Sequence, residues 1–193
     1  MTRWTQKIEN SISLASREHN RQDFLDAFFE SKVYIPHNEE EEREFEEFSL
    51  VISSTALLVY IALADGIIQQ EQKERIISDL IFQLGQRSYE REKLVKFGTY
   101  EKEIISNLYD KMVKDLQAGK TDIEKIVRVI DMVYANNPAK RIYLVRLCYY
   151  CAYSDGSLDP LEEERIDELS RLLKIGKHEQ QRAKAEVEAD LKA

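Results

Sequence analysis

The chain is short of the residues that interrupt helices. Its 193 residues include only six glycines and three prolines, so few positions force a turn or remove a backbone donor. No stretch shows the sustained alternation of apolar and polar residues that is typical of strands. Apolar residues recur at helical spacing instead. The pattern predicts an all-α helical bundle of about eight or nine helices, if these average about 12 residues.

Basic residues are too few and too dispersed for a nucleic-acid surface. The chain has 28 Lys and Arg against 36 Asp and Glu, which gives a formal net charge of −8, whereas binding to phosphates requires clustered cations. We therefore predict no nucleic-acid partner. The ten tyrosines are expected to be packing groups, because no basic groove accompanies them.

Long apolar runs are also missing. The most apolar segment, residues 50–64, contains Ser53, Ser54 and Thr55 and is too short to span a bilayer. The residues that follow Met1 are polar and do not form the apolar core of a signal peptide. Two cysteines three positions apart do not make a disulfide framework. These features predict a cytoplasmic protein without a membrane span.

Histidine is scarce as well. His19, His37 and His178 are scattered in polar contexts, so no Ser-His-Asp or Cys-His set is predicted, and a glycine-rich phosphate loop is missing. Cys148 and Cys151 lie inside an apolar helix, whereas redox cysteines usually open a helix, and zinc would need two more ligands. We interpret both cysteines as buried structural thiols and expect no catalytic activity.

The chain does contain one short sequence motif that occurs twice, ninety positions apart. In each copy an apolar helix stops at Asp-Gly, and an acidic amphipathic helix begins after the turn. Repetition at a fixed offset predicts a fold with two pseudo-equivalent halves. The identical positions are Leu57/Leu147, Tyr60/Tyr150, Ala62/Ala152, Asp65/Asp155, Gly66/Gly156, Glu74/Glu164, Arg75/Arg165 and Ile76/Ile166.

The repeat also predicts how the chain is divided. A single helical domain is expected over residues 49–176, with its repeats at about 50–85 and 140–176. Residues 1–48 are expected to form an N-terminal helical extension, and residues 177–193 a charged C-terminal helix or tail.

Asp65 and Asp155 stand at the C-terminal ends of helices, where the macrodipole is negative. Each placement is unfavourable by about 0.3–1 kcal/mol, so we expect a compensating donor, a Lys or Arg, or a bound cation nearby. A calcium EF-hand is excluded, because two of its ligand positions would be Cys151 and Tyr153 in the second copy.

The simplest interpretation of these aspartates is a turn residue that caps a following amide, with glycine supplying the positive φ. Metal ligation is the alternative. Glu74 and Glu164, each followed by an arginine, are expected on a solvated helix face or in an intramolecular ion pair.

The duplicated turns resemble the tellurite-resistance TerB-like family over roughly residues 49–176. The resemblance implies an all-helical, pseudo-symmetric fold and a cytoplasmic, non-catalytic role in metal or oxyanion stress, with a divalent metal bound by acidic turn residues. The matching segments are Ala62-x-Ala64-Asp65-Gly66-x-Ile68-x-x-Glu71 and Ala152-x-Ser154-Asp155-Gly156-x-Leu158-Asp159-x-x-Glu162.

The second copy is the better candidate for the metal, because the first copy has fewer acidic side chains and carries Gln69, Gln70 and Gln72 instead. Ser154 departs from the small apolar residue that is usual in the family. An all-carboxylate set suits Ca²⁺ or Mg²⁺ better than Zn²⁺. The candidate metal ligands that the resemblance implies are Asp155, Asp159, Glu162, Glu163, Asp65 and Glu71.

A metal-free interaction module is the alternative function. Relatives of this family include an acidic helical domain attached to a DnaJ-type co-chaperone, which implies binding to another protein through an acidic helical surface. The sequence identifies neither that partner nor the oligomeric state.

Overall fold

The structure is a computed structural model that describes residues 35, 37–66, 70–89, 99–153 and 156–192. Within these residues every regular element is a helix. The prediction of an all-α fold is confirmed.

Seven helices follow one another along the described residues, slightly fewer than the eight or nine that the sequence predicts. Most of the predicted N-terminal extension lies outside the described residues. Helix α2 runs through Gly85 to its last residue, Tyr89, a few positions beyond the predicted end of the first repeat. The helices are α1 (Glu39–Ala62), α2 (Gln70–Tyr89), α3 (Thr99–Gln117), α4 (Ile123–Val133), α5 (Pro138–Ala152), α6 (Pro160–Leu172) and α7 (Lys177–Asp190).

Contacts divide the chain into two units, residues 1–50 and residues 51–193. In the described part of the first unit, the side chain of Asn38 accepts a hydrogen bond of 2.9 Å from the amide of Glu41. This is the bond of an N-cap residue, and it explains why α1 begins at Glu39.

The core of the second unit includes the middle of α1. Every residue from Ile52 to Val59 is at most 1% exposed, as expected for a helix that is apolar nearly all round. Thr55 satisfies its buried hydroxyl by donating to the carbonyl of Val51 at 2.8 Å. None of the described helices has both the length and the apolar composition to cross a membrane.

The starts of α4, α5 and α6 follow local capping signals. Asp122, Asn137 and Asp159 accept hydrogen bonds from first-turn amides of these helices, at 2.8, 3.1 and 2.8 Å. Prolines occupy the first position of α5 and α6. The amide at this position has no acceptor within the helix, so proline, which lacks an amide proton, loses no hydrogen bond there.

Helix α5 is central to the packing of the second unit. It contacts α2, α6 and α7, while α2 also packs on α3, and α4 packs on α6. Its buried residues are Leu144, Val145, Leu147, Cys148, Tyr149 and Ala152. The second Asp-Gly turn therefore follows directly from a helix held on three sides.

Candidate functional site at the Asp-Gly turns

The two Asp-Gly turns occupy equivalent positions between their helices. The preceding helices end at Ala62 and Ala152, and the following helices begin at Gln70 and Pro160. Both pairs are ninety positions apart, so the repeat in sequence is also a repeat in structure.

The glycines of the two turns share a backbone conformation. Gly66 has φ +79° and Gly156 has φ +93°, which is the left-handed region that disfavours a Cβ atom. The amide of Gly66 donates to the carbonyl of Leu63 at 3.0 Å, and the amide of Gly156 donates to the carbonyl of Tyr153 at 2.9 Å. Glycine is therefore required at both positions by the backbone itself.

The first turn does not gather its predicted ligands into a shielded site. Asp65 is exposed within the turn, and Glu71 is exposed in the first turn of α2. Ser154 and Asp155 of the second turn lie outside the described residues.

Two predicted ligands of the second turn are bonded to other protein groups. Asp159 accepts from the amide of Leu161 at 2.8 Å and so caps α6. Glu163 accepts from the ammonium group of Lys184 on α7, with which it forms an ion pair. The position of Glu163 therefore accommodates a positive charge.

Arg75, Asp79 and Glu162 act electrostatically on Cys151, and we call these four residues the second-turn cluster. Burial raises the pKa of Cys151 well above its usual range, the Asp79 and Glu162 carboxylates raise it further, and the Arg75 guanidinium opposes them. Burial also raises the pKa of Asp79, again opposed by Arg75. Carboxylates from α2 and α6 thus both act on the charge of the thiol at the end of α5.

Among the described residues, no group of three or more His, Cys, Asp or Glu side chains has the arrangement of a metal centre. Asp155 is not among those residues. The metal site at the turns therefore stays a prediction.

The positive charge beside the first turn comes from the other half of the domain. Arg165 of α6 donates a hydrogen bond to the carbonyl of Tyr60 in the last turns of α1, and its guanidinium lies 4.6 Å from the centroid of the Tyr60 ring. The Tyr60 hydroxyl donates to Glu168 at 2.5 Å. A cation at this end of a helix satisfies a carbonyl and opposes the negative end of the macrodipole.

Glu74 and Glu164 are exposed, as expected for residues on a solvated helix face, whereas the arginines that follow them are only partly exposed. Arg165 instead packs against α1, because α6 lies alongside the end of that helix. Arg75 has a related position, since it acts electrostatically on Cys151 at the end of α5. The available signal was that each arginine follows its Asp-Gly turn at the same spacing in both copies.

The cysteines fit the interpretation as structural thiols. Cys148 is completely buried, and its burial raises the pKa to about 12. Cys151 is half-buried, and neither residue forms a disulfide.

The histidines provide no catalytic arrangement within the described residues. His37 is exposed and contacts Glu41, with 3.0 Å between the ring Nδ1 and the carboxylate. His178 is exposed in the first turn of α7, and His19 lies outside the described residues.

A shallow groove of about 520 Å³ lies between α4 and the end of α6. No histidine, cysteine or hydroxyl side chain from the described residues lines it. Its lining residues are Glu124, Val127, Arg128, Asp131, Met132, Ala135 and Leu172.

The comparison with protein families gives one match, to the family described as tellurite resistance protein TerB, over residues 51–185. No curated protein matches the chain significantly, and no solved structure does. The matched segment covers more than half of the chain and contains both Asp-Gly turns, the second half of α1, and all of α2, α5 and α6. The chain therefore belongs to the TerB family of tellurite-resistance proteins.

Proposed function

We propose that this protein acts in tellurite or metal stress without catalysing a reaction, by binding a divalent cation at its second Asp-Gly turn. The observation that supports the proposal is that two half-buried carboxylates, Asp79 on α2 and Glu162 on α6, both act electrostatically on Cys151 just before that turn. Membership of the TerB family supports the stress-related role.

A cation at this turn has a physical reason. Carboxylates removed from water are stabilised by a nearby positive charge, and Arg75 supplies one to the second-turn cluster. The ligands in the proposal are Glu162 and Asp155, with Glu163 available once it is released from Lys184. Carboxylate oxygens are the preferred ligands of hard cations such as Ca²⁺ and Mg²⁺, whereas zinc sites usually include nitrogen or sulfur.

The composition of the described surface supports a non-catalytic role. The groove between α4 and α6 is lined by apolar and charged side chains, with no histidine, cysteine or hydroxyl side chain from the described residues. Asp131 in this groove already contacts two cations, since its carboxylate lies 2.7 Å from Lys174 Nζ and 3.5 Å from an Arg141 nitrogen. It is therefore a structural ion-pair residue.

Thermal unfolding of metal-stripped protein, with Ca²⁺, Mg²⁺, Mn²⁺ or Zn²⁺ added in turn, tests the proposal. A cation at about 100 times its dissociation constant stabilises the fold by about 2.7 kcal/mol. We expect one ion to raise the melting temperature, and Asp155→Asn and Glu162→Gln to abolish the increase.

The matched control is Glu164→Gln, which removes the same charge from an exposed neighbour in α6. It should keep the increase in melting temperature. If no ion shifts the wild-type melting temperature, the turns are structural caps. An equal loss in Glu164→Gln would instead indicate a diffuse electrostatic effect and reject the assigned ligands.

A metal-free interaction module is the second candidate, favoured by the fact that Asp159 and Glu163 are already bonded within the protein. The net charge of −8 would favour a basic partner. Such a partner should be retained by immobilised protein in the presence of a chelator and released at high salt. Retention that depends on added divalent cation would argue for the first candidate.

A further inference from the structure

We propose that helix α7 exchanges between two copies of this chain, so that α7 of each copy packs on α5 of the other. The docking surface is the face of α5 that α7 covers, and its second occupant is the same helix from another copy. The inference goes beyond the function proposed above and does not depend on a cation.

The connection from α6 to α7 holds backbone strain. Helix α6 ends in a Schellman motif, in which the amide of Ile175 donates to the carbonyl of Ser170 at 2.9 Å. The amide of Lys174 donates to the carbonyl of Arg171 at 3.1 Å in the same motif. Lys174 has φ +58°, a left-handed conformation that is unfavourable for a residue with a Cβ atom. Opening of the connection releases this strain.

Lys174 is an exception among the turns of the described residues. Gly66, Gly119 and Gly156 also have positive φ, and Lys174 is the one residue other than glycine that shares this conformation within the described ranges. Its ammonium group lies 2.7 Å from Asp131, but 72% of the Lys174 side chain is exposed. Exposed ion pairs contribute little, so this pair offsets little of the strain.

Helix α7 is held with little apolar burial. Its buried apolar side chains are Ala183 and Val187, although the helix has 14 residues. Hydrophobic stabilisation grows with the apolar area removed from water, so the hydrophobic cost of leaving the site is small. A short strained connection beside a weakly buried element is the arrangement that favours exchange of that element between copies.

Polar bonds make the covered face of α5 specific for α7. Arg146 lies 3.2 Å from a Glu186 oxygen and 3.5 Å from an Asp190 oxygen. Side chains on α7 also bond three tyrosines of the segment that ends α5. These pairs are Gln180 with Tyr149 at 2.9 Å, Asp190 with Tyr150, and Glu188 with Tyr153. Helix α7 of a second copy carries the same partners at the same spacing and therefore fits this face.

The contacts between α7 and α6 are equally transferable. Lys184 pairs with Glu163, and the side chain of Gln180 donates to Asp167 at 2.5 Å. Two copies related by a two-fold axis present identical surfaces, so each of these contacts forms between chains as it does within one. The monomer and the exchanged dimer then differ in the strained connection and in the entropy lost on association. Position 174 therefore sets the balance between them.

Sedimentation velocity of the full chain at increasing concentration tests the exchange, after equilibration just below the melting temperature so that α7 leaves its site. We expect a dimer whose proportion rises with concentration. Lys174→Gly and Lys174→Ala are matched variants, because both remove the ion pair with Asp131 and only alanine keeps the strain. The dimer of Lys174→Gly should be weaker than that of Lys174→Ala by about 5- to 30-fold for each subunit, the factor for relief of one left-handed residue.

Charge reversal across the contact between α5 and α7 shows whether α7 is the exchanged element. Arg146→Glu repels the acids of its own α7, and a double variant with Glu186→Lys and Asp190→Lys is repelled by its own Arg146. In an exchanged heterodimer both contacts pair opposite charges. We expect each protein alone to be monomeric and their mixture to form a dimer with one copy of each.

Arg128→Glu is the control for this mixture, because it makes the same charge change at an exposed position of α4. Mixed with the double variant of α7, it should give no enrichment of heterodimer. Equal enrichment would indicate attraction between net charges and reject the exchange. The exchange is also rejected if the charge-reversed mixture stays monomeric, if Lys174→Gly and Lys174→Ala dimerise equally, or if the wild-type chain is monomeric at every concentration.

Discussion

Arg165 reaches 105 positions back along the chain to donate a hydrogen bond to the carbonyl of Tyr60, while its guanidinium covers the ring of the same residue. This contact joins the second half of the domain to the end of the first apolar helix. Burial raises the pKa of Tyr60, and the hydrogen bond to Glu168 raises it further. The Tyr60 hydroxyl therefore remains a donor at neutral pH.

Replacing Arg165 by methionine should destabilise the protein by about 1–3 kcal/mol, because the Tyr60 carbonyl loses a charged donor and the ring loses its cation. Urea unfolding followed by circular dichroism measures the loss. Arg165→Lys should recover only part of it, since an ammonium group cannot reproduce the planar stacking. Arg128→Met, at an exposed position of α4, should stay within about 0.5 kcal/mol of wild type.

Alanine at either turn glycine should destabilise the fold by about 1–2 kcal/mol through backbone strain. No atom lies within 4 Å of a Cβ built at Gly66 or Gly156, so a steric clash does not add to this value. Gly176→Ala is the contrasting variant, because Gly176 has φ −65°. Chemical denaturation of the three variants should place Gly176→Ala closest to wild type. Equal losses in all three would show that positive φ is not the cause.

Substitution of Asp159 separates its capping role from a role in metal binding. Asp159→Ala should lower stability by about 0.5–2 kcal/mol, because the amide of Leu161 loses its acceptor. Asp159→Asn keeps a good cap and should restore the melting temperature of metal-free protein. If Asp159→Asn also keeps full cation affinity, Asp159 is a cap and not a ligand. A large loss of cation affinity in Asp159→Asn would show that Asp159 is a metal ligand.

Stability should fall in alkaline solution. Burial raises the pKa of Tyr109 from 10.0 to about 12, so between these values the unfolded chain binds fewer protons than the folded chain. Stability is then fully present below about pH 10 and declines as pH rises towards 12. Tyr149, whose pKa burial also raises to about 12, adds to the decline. Melting temperatures measured from pH 8 to 11 should follow this curve.

Phenylalanine variants of these two tyrosines should flatten the alkaline decline but differ at neutral pH. The Tyr109 hydroxyl is buried without a hydrogen-bond partner among the described residues, so Tyr109→Phe should stabilise the protein by about 1 kcal/mol. The Tyr149 hydroxyl accepts from Gln180 at 2.9 Å, and Tyr149→Phe should destabilise by about the same amount. Stabilisation by both variants would contradict the assigned bond to Gln180.

The parts of the structure that sequence analysis predicts are those with a local cause. Helical periodicity gives the all-α class, and the caps at Asn137 and Asp159 depend on side chains that bond amides in the next turn. The Asp-Gly repeat predicts a glycine at positive φ in both turns, because glycine is the residue favoured there.

The contacts that surround the turns depend on tertiary packing and have no comparable local signal. Asp79 interrupts the apolar face of α2, but its approach to Cys151 depends on how α2 packs against α5. Arg165 reaches Tyr60 only because α6 lies beside α1. Lys184 was part of a charged tail in the sequence, and the docking of α7 pairs it with Glu163.

The bond from Arg165 to Tyr60 also has a consequence during synthesis. Helix α1 is made early, yet the residue that closes its C-terminal end is translated 105 positions later. Contacts between residues so distant in sequence slow folding, because a long loop must close before they form. In a nascent chain that has not yet reached residue 165, the Tyr60 carbonyl at the end of this apolar helix therefore lacks its arginine donor. Apolar surface that stays uncovered until such a contact forms favours aggregation.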